Sequence, residues 1–185
     1  MRKKIISVGL SIPKDLPKGL VPIADEADRL HESVLWSAQG QFEQTKLWRS
    51  LNLLFGLPAA VLAAIAGGTG LAATQPTHVT GILALIAAGF GAALTTLNPS
   101  RRVSQAQASA HAYLEIQTEA RQFVLIRLKG LSEEGAMEQL ASLTERRNDI
   151  NKTADPPSKF AYWRATQVIT ESGGQSYEAD AKEQK

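Results

Sequence analysis

Residues 51–73 read LNLLFGLPAAVLAAIAGGTGLAA, and residues 79–97 read VTGILALIAAGFGAALTTL. Neither contains Asp, Glu, Lys or Arg, and none of these occurs anywhere between Arg49 and Arg101. As helices the two segments measure about 35 Å and about 28 Å, against a hydrocarbon core of about 30 Å. A buried helix of a soluble protein usually keeps charge on its outer face, and these keep none on any face. Residues 74–78, TQPTH, supply a proline-containing turn between them. Two uncharged segments joined by five residues predict a transmembrane helical hairpin with residues 74–78 as its external loop.

Orientation follows from the flanking cations. Lys46 and Arg49 precede the first span, Arg101 and Arg102 follow the second, and the connection has no Lys or Arg. Positive flanks stay inside, so both termini are expected to be cytoplasmic. Trp48 and Arg49 fall at headgroup level on entry; Asn98, Pro99, Arg101 and Arg102 form the exit junction. Ala59, Ala63 and Gly67 recur every fourth residue, as do Ala84, Ala88 and Ala92. Such ridges let helix backbones approach closely where the hydrophobic effect does not drive association. One ridge packs the hairpin; a second small face, including Ala87 and Gly91, is expected to meet neighbouring protomers. Pro58 removes a backbone donor within the first span and predicts a kink there.

Outside the spans the pattern is helical and polar. Residues 1–23 read as a flexible tail: the apolar stretch IISVGL is short for a signal peptide and runs into Pro13, Lys14 and Asp15. Residues 24–50 form a cytosolic helix with Ala27, Leu30, Val34, Ala38, Gln41, Thr45 and Trp48 in three-four spacing. No Gly-Pro break separates it from the first span, so it is expected to run straight in. Asn98 is an N-cap and Pro99 a first helical residue. The helix they open reaches Lys129 and stops at Gly130, with Val103, Ala106, Ala110, Tyr113, Gln117, Ala120 and Val124 as its seam. Gln117, the polar member, is positioned to fix register. Ser132 caps a helix over 133–148 with a stripe of Met137, Leu140, Leu143 or Thr144, and Ile150. A proline loop follows at 151–158, then a helix bearing Phe160, Trp163, Val168 and Ile169, stopped at Gly173 and Gly174. Residues 98–173 are thus the main cytosolic helices, and 174–185 a polar, disordered tail. The fold class is an all-α membrane protein: a two-transmembrane hairpin with a cytosolic helical bundle formed by the N-terminal and C-terminal helices.

Chemistry is scarce. The chain has no cysteine, which excludes disulfides, zinc-thiolate sites and Cys nucleophiles. No P-loop, G-x-S-x-G, H-E-x-x-H or DxDxDG pattern occurs. His111 and Glu115 share a helix face, but two ligands without a third are a solvated pair rather than a metal site. His31 and His78 read as ordinary surface residues. Few aromatics and balanced charge argue against nucleic acid as a partner. No ionisable residue lies within either span, which argues against a proton relay. No enzyme and no cofactor are expected.

The ordered parts resemble the SLATT superfamily, two-span effector domains associated with nucleotide-synthesising and nucleotide-sensing proteins in bacterial conflict systems. A helix with Trp36 and Trp48 leads into span one. Span two ends in LNPSRR, similar to the family's Asn-Pro and basic junction. Ala110, Tyr113, Leu114 and Arg121 match its A-x-x-Y-L helix with a later arginine. Pro156, Pro157, Ala165, Ile169, Gly174 and Tyr177 follow the order of its closing segment. The resemblance covers residues 24–177. It implies a pore-forming or membrane-disrupting effector in the bacterial inner membrane that kills or arrests an infected cell. With no fused sensor domain in this chain, the trigger is expected in trans, from a sensor protein or a nucleotide second messenger.

A two-span protomer cannot enclose a channel alone, so a homo-oligomer of about four or more is expected. Asn52, Thr69, Thr95, Thr96 and Asn98 are the polar candidates to line its lumen. The competing expectation is a membrane-anchored interaction module whose cytosolic bundle recruits a partner.

Overall fold

The computed structural model describes residues 9–72 and 78–172, and every regular element among them is helical. Helix α1 spans Val21–Ala72, α2 His78–Leu97, α3 Pro99–Gln122, α4 Glu133–Thr153 and α5 Lys159–Ser172. Between α3 and α4 the chain widens into a π-helical turn, Phe123–Arg127, then tightens into a 3-10 turn, Leu128–Gly130. Two of these helical stretches are long and apolar enough to cross a membrane. Their most apolar parts reach a mean hydropathy of 1.8 and are only 6 % buried. The expectations for residues 1–8, 73–77 and 173–185 lie outside the described residues.

The chain divides into two units, one of residues 1–44 and 105–185, the other of residues 45–104. In the first, Ala24, Ala27, Leu30, Val34 and Ala38 of α1 share a core with Tyr113, Ile116, Ala120 and Phe123, and with Ala136 and Leu143 of α4. Full burial of a side chain such as Ile116, Phe123 or Leu128 is worth about 1.5–3 kcal/mol. From Ala106 onward the seam expected of α3 is the buried one: Ala106, Ala110, Tyr113, Gln117, Ala120 and Val124 are all covered, while Val103, its first expected member, lies in the other unit and is only half-buried. Ile116 and Phe123, seven residues apart on one flank of that seam, join it, as does Leu128 beyond the π turn.

Three sequence expectations are corrected in this unit. The supposed flexible tail contributes Leu16, Leu20 and Ile23 to the core, and the Leu10 amide donates to Asp28 Oδ1 at 2.7 Å. Leu20 and Ile23 continue the apolar spacing of α1 toward its N-terminus, so burying them extends a face already formed. His31 is not a surface residue: it is buried, with Nε2 3.4 Å from Gln117 Nε2. Met137 is exposed, whereas Leu143 of the same expected stripe is buried, Leu140 and Ile150 are partly buried against the core, and Ala136 is buried beside them. In α5 the buried side is Ala161, Ala165 and Ile169, while Phe160 and Trp163 face outward.

Polar groups fasten the helices to one another. Tyr113 Oη donates to Asn151 Oδ1 at 2.6 Å, and Arg147 donates to Ser33 Oγ at 2.9 Å. Burial pushes the Tyr113 phenol above its ordinary pKa, outweighing the opposing charge of Arg147. Ser132 caps α4 by accepting from the Gly135 amide at 3.2 Å, and Ser158 caps α5 by accepting from Ala161 at the same distance. Gly40 lets the 154–158 loop come close to α1: a Cβ there would stand 3.3 Å from Pro157.

Candidate functional site

The candidate site is the unit of residues 45–104, where α1 and α2 lie antiparallel. Contacts run in opposite chain order along the pair. Asn52 Oδ1 accepts from Ser100 Oγ at 3.4 Å, Gly56 faces Leu94, the Phe55 and Phe90 rings meet tilted at 46° with centroids 6.0 Å apart, and Thr69 Oγ1 lies 3.5 Å from Thr80 Oγ1. The first helix continues unbroken through Pro58 from the preceding unit, as the missing Gly-Pro break predicts.

Ala66 and Ala87 are the residues buried between the arms. Ala87, expected on a face toward neighbouring protomers, is buried in the single chain and also lines the open groove described next. Ala63, Gly67, Ala84, Ala88 and Ala92 are exposed in the single chain, and Ala59 and Gly91 are half-buried. A Cβ added at Gly67 or Gly91 would meet nothing within 4 Å. An open groove of about 720 Å³ runs beside the helix pair, lined by Ala59, Ala63, Ala66, Gly67, Ala84 and Ala88 among others. Apart from Thr80 every lining residue is Ala or Gly. Such a surface offers backbone to a close-packing helix and nothing to a polar ligand.

The five polar candidates do not converge on one lining. Asn52, Thr95, Thr96 and Asn98 lie toward the end of the pair where α2 meets α3, and Thr69 lies toward the other. Thr69 Oγ1 donates to Ile65 O at 2.8 Å and Thr95 Oγ1 to Ala92 O at 2.9 Å. These hydroxyls are satisfied by their own helices, which lets them sit in an apolar surface. No polar side chain lines the stretch between these two layers, from Gly56 to Ala66 on α1.

The junction residues do come together. The Arg102 guanidinium stands 4.8 Å from the Trp48 ring centroid, a cation–π contact, and Arg102 Nε donates to Leu97 O at 3.2 Å. Arg49 and Arg101 are exposed and Pro99 is buried. Asn98 has φ 44°, the left-handed region that Asn tolerates better than most residues. Its side chain accepts from the Arg101 amide at 3.4 Å, so it ends α2 and caps α3 at once. Sequence reasoning paired Trp48 with its neighbour Arg49 and missed Arg102. The signal was present: Trp48 and Arg102 lie equally far before and after Gln75, where an antiparallel hairpin aligns them.

Among the described residues no three His, Asp or Glu side chains gather to hold a metal ion. Comparison with protein-family models, curated proteins and solved structures finds no match to this chain.

Proposed function

We propose that the chain is a two-span membrane effector whose protomers assemble into a pore and permeabilise the bacterial inner membrane when triggered. Residues 51–73 and 79–97 cross the bilayer, both termini are cytoplasmic, and the unit of residues 1–44 and 105–185 is a cytosolic bundle. The observation that carries this reading is the open Ala/Gly groove. A plain anchor has no use for an apolar surface without bulk, whereas an assembling helix pair needs one, since close approach is what holds helices together in lipid. The resemblance to the SLATT superfamily supports the role in conflict, with a homo-oligomer of about four or more and a trigger supplied in trans. The pore wall is mostly Ala, Gly and Leu with polar layers near the ends, so it discriminates poorly among ions and closes by dewetting.

Inducible expression in bacteria, read by membrane potential and dye entry, tests the reading. Depolarisation abolished by Ala88→Leu or Gly91→Leu at unchanged protein level is the expected result. Intact potential in every genomic context tested, with the chain recovered from membranes, overturns the pore. It leaves the anchored interaction module.

A further inference from the structure

Helix α5 buries its small residues and exposes its aromatic ones. Ala161, Ala165 and Ile169 are covered, while Phe160 and Trp163 are each 54 % exposed, with ring centroids 6.0 Å apart. At about 100° per residue, Lys159, Trp163, Gln167, Phe160 and Arg164 follow one another around the outward side. The aromatic pair is therefore bracketed by a cation at each edge. Tyr162, also exposed, flanks them toward the buried side.

The place where α5 is tied to α1 matters as much as its face. The Ser158 amide donates to Gln44 Oε1 at 3.0 Å, and Gln41 Nε2 donates to Asp155 O at 2.7 Å. Arg164 Nε lies 3.5 Å from Oε2 of the buried Glu43. Gln44 precedes Leu51, where the uncharged run begins, by about two helical turns of the same helix.

We infer that the Phe160–Trp163 face docks in the headgroup layer of a membrane containing anionic phospholipid, with Lys159 toward the phosphates and Arg164 holding the helix to Glu43. The inference rests on the reading that residues 51–97 cross a bilayer. Trp beside Lys and Arg is the side-chain chemistry favoured at a bilayer interface, where a ring lies among upper acyl chains and a cation meets phosphate. A second copy of the chain is the poorer occupant. Two-fold pairing of this face would oppose Lys159 and Arg164 to their own like charges, and the centres of protein interfaces are depleted in Lys.

The test uses the full chain carrying Trp36→Phe and Trp48→Phe, which leaves Trp163 as the sole tryptophan. It is reconstituted in phosphatidylcholine vesicles with and without phosphatidylglycerol, using plain lipid or lipid brominated high on the acyl chain. The expected result is loss of Trp163 emission in brominated lipid, deeper with phosphatidylglycerol present and less deep after Lys159→Gln. A companion chain keeping only Trp48 separates the two readings. Quenching of Trp48 without quenching of Trp163 overturns the inference and leaves the spans in place. Quenching of neither overturns both. Emission of Trp163 that changes with protein dilution but not with bromine assigns the face to a protein partner, and also overturns it. Because Trp36 replacement can unsettle α1, a second chain carries only Phe160→Cys, labelled with an environment-sensitive dye at its single cysteine. A lipid-borne quencher is expected to dim that dye, and failure to do so overturns the inference independently.

Discussion

In the unit of residues 1–44 and 105–185, Ala24, Ala27, Ala38, Ala110, Ala120 and Ala136 are fully covered, in a unit whose core also holds Phe123 and Ile116. In the unit of residues 45–104, Ala63, Gly67, Ala84 and Ala88 recur at the same helical spacing and stand open. Both units use small residues to bring helices close. The first finds its partners within the chain, and the second has only Ala66 and Ala87 satisfied that way. A small-residue ridge is thus complete or incomplete according to what covers it, and sequence spacing alone does not distinguish the two.

The largest expected effect lies in the completed unit. Phe123→Ala empties a fully buried site at the π turn and is expected to cost about 3–5 kcal/mol. Denaturant unfolding in mild detergent, followed by proteolysis of residues 105–172, measures it. A cost typical of a surface site would mean the π turn is not part of the core.

Next comes a matched pair. Ala110→Leu overpacks a covered position and is expected to cost about 1–3 kcal/mol. Ala88→Leu, the same change on the open ridge, is expected to move stability by less than about 0.5 kcal/mol in detergent. Equal costs in the two experiments would erase the comparison.

Asn98→Ala tests the junction, since a left-handed Ala is strained where Asn is tolerated. A loss of about 1 kcal/mol is expected, with Asn98→Gly close to neutral. The two unfolding midpoints decide it.

The smallest effect is at the Asp15–Lys129 ion pair. The hydrogen bond and charge of Lys129 hold the Asp15 carboxyl below its ordinary value of 3.8. A lowered carboxylate pKa stabilises the fold above 3.8, and that contribution is lost as pH falls through the folded value. Both partners are exposed, so solvent screens the pair heavily. Asp15→Asn is expected to leave stability at pH 7 nearly unchanged and to flatten its pH slope only below about 4. A midpoint shift at pH 7 comparable to that of Ala110→Leu would show the pair holding residues 9–20 in place.

The uncharged run was readable because absence of charge is local and needs no partner to interpret it. The seam from Ala106 to Ala120 was readable because α3 keeps its period there. Ile116 and Phe123 were not, since they flank the seam where spacing alone does not decide burial, and Leu128 was not, since the π turn before it shifts helical phase without a compositional mark. Which side of α5 is buried was not legible: Ala161, Ala165 and Ile169 are covered while Phe160 and Trp163 are exposed, and composition did not single out that side. His31 is a long-range case: only the fold brings Gln117 to it. In the candidate site the ridges were legible and their occupancy was not, as the burial of Ala87 within the single chain shows.

Pro99 has a consequence beyond capping. A residue preceding proline is discouraged from right-handed helical geometry, and Asn98 instead takes a positive φ. Were Asn98 right-handed, α2 and α3 would fuse into a single rod comparable to α1. Pro99 therefore acts as a spacer that keeps two rods from becoming one. Its replacement by alanine would remove that barrier and leave Asn98 free to take right-handed geometry.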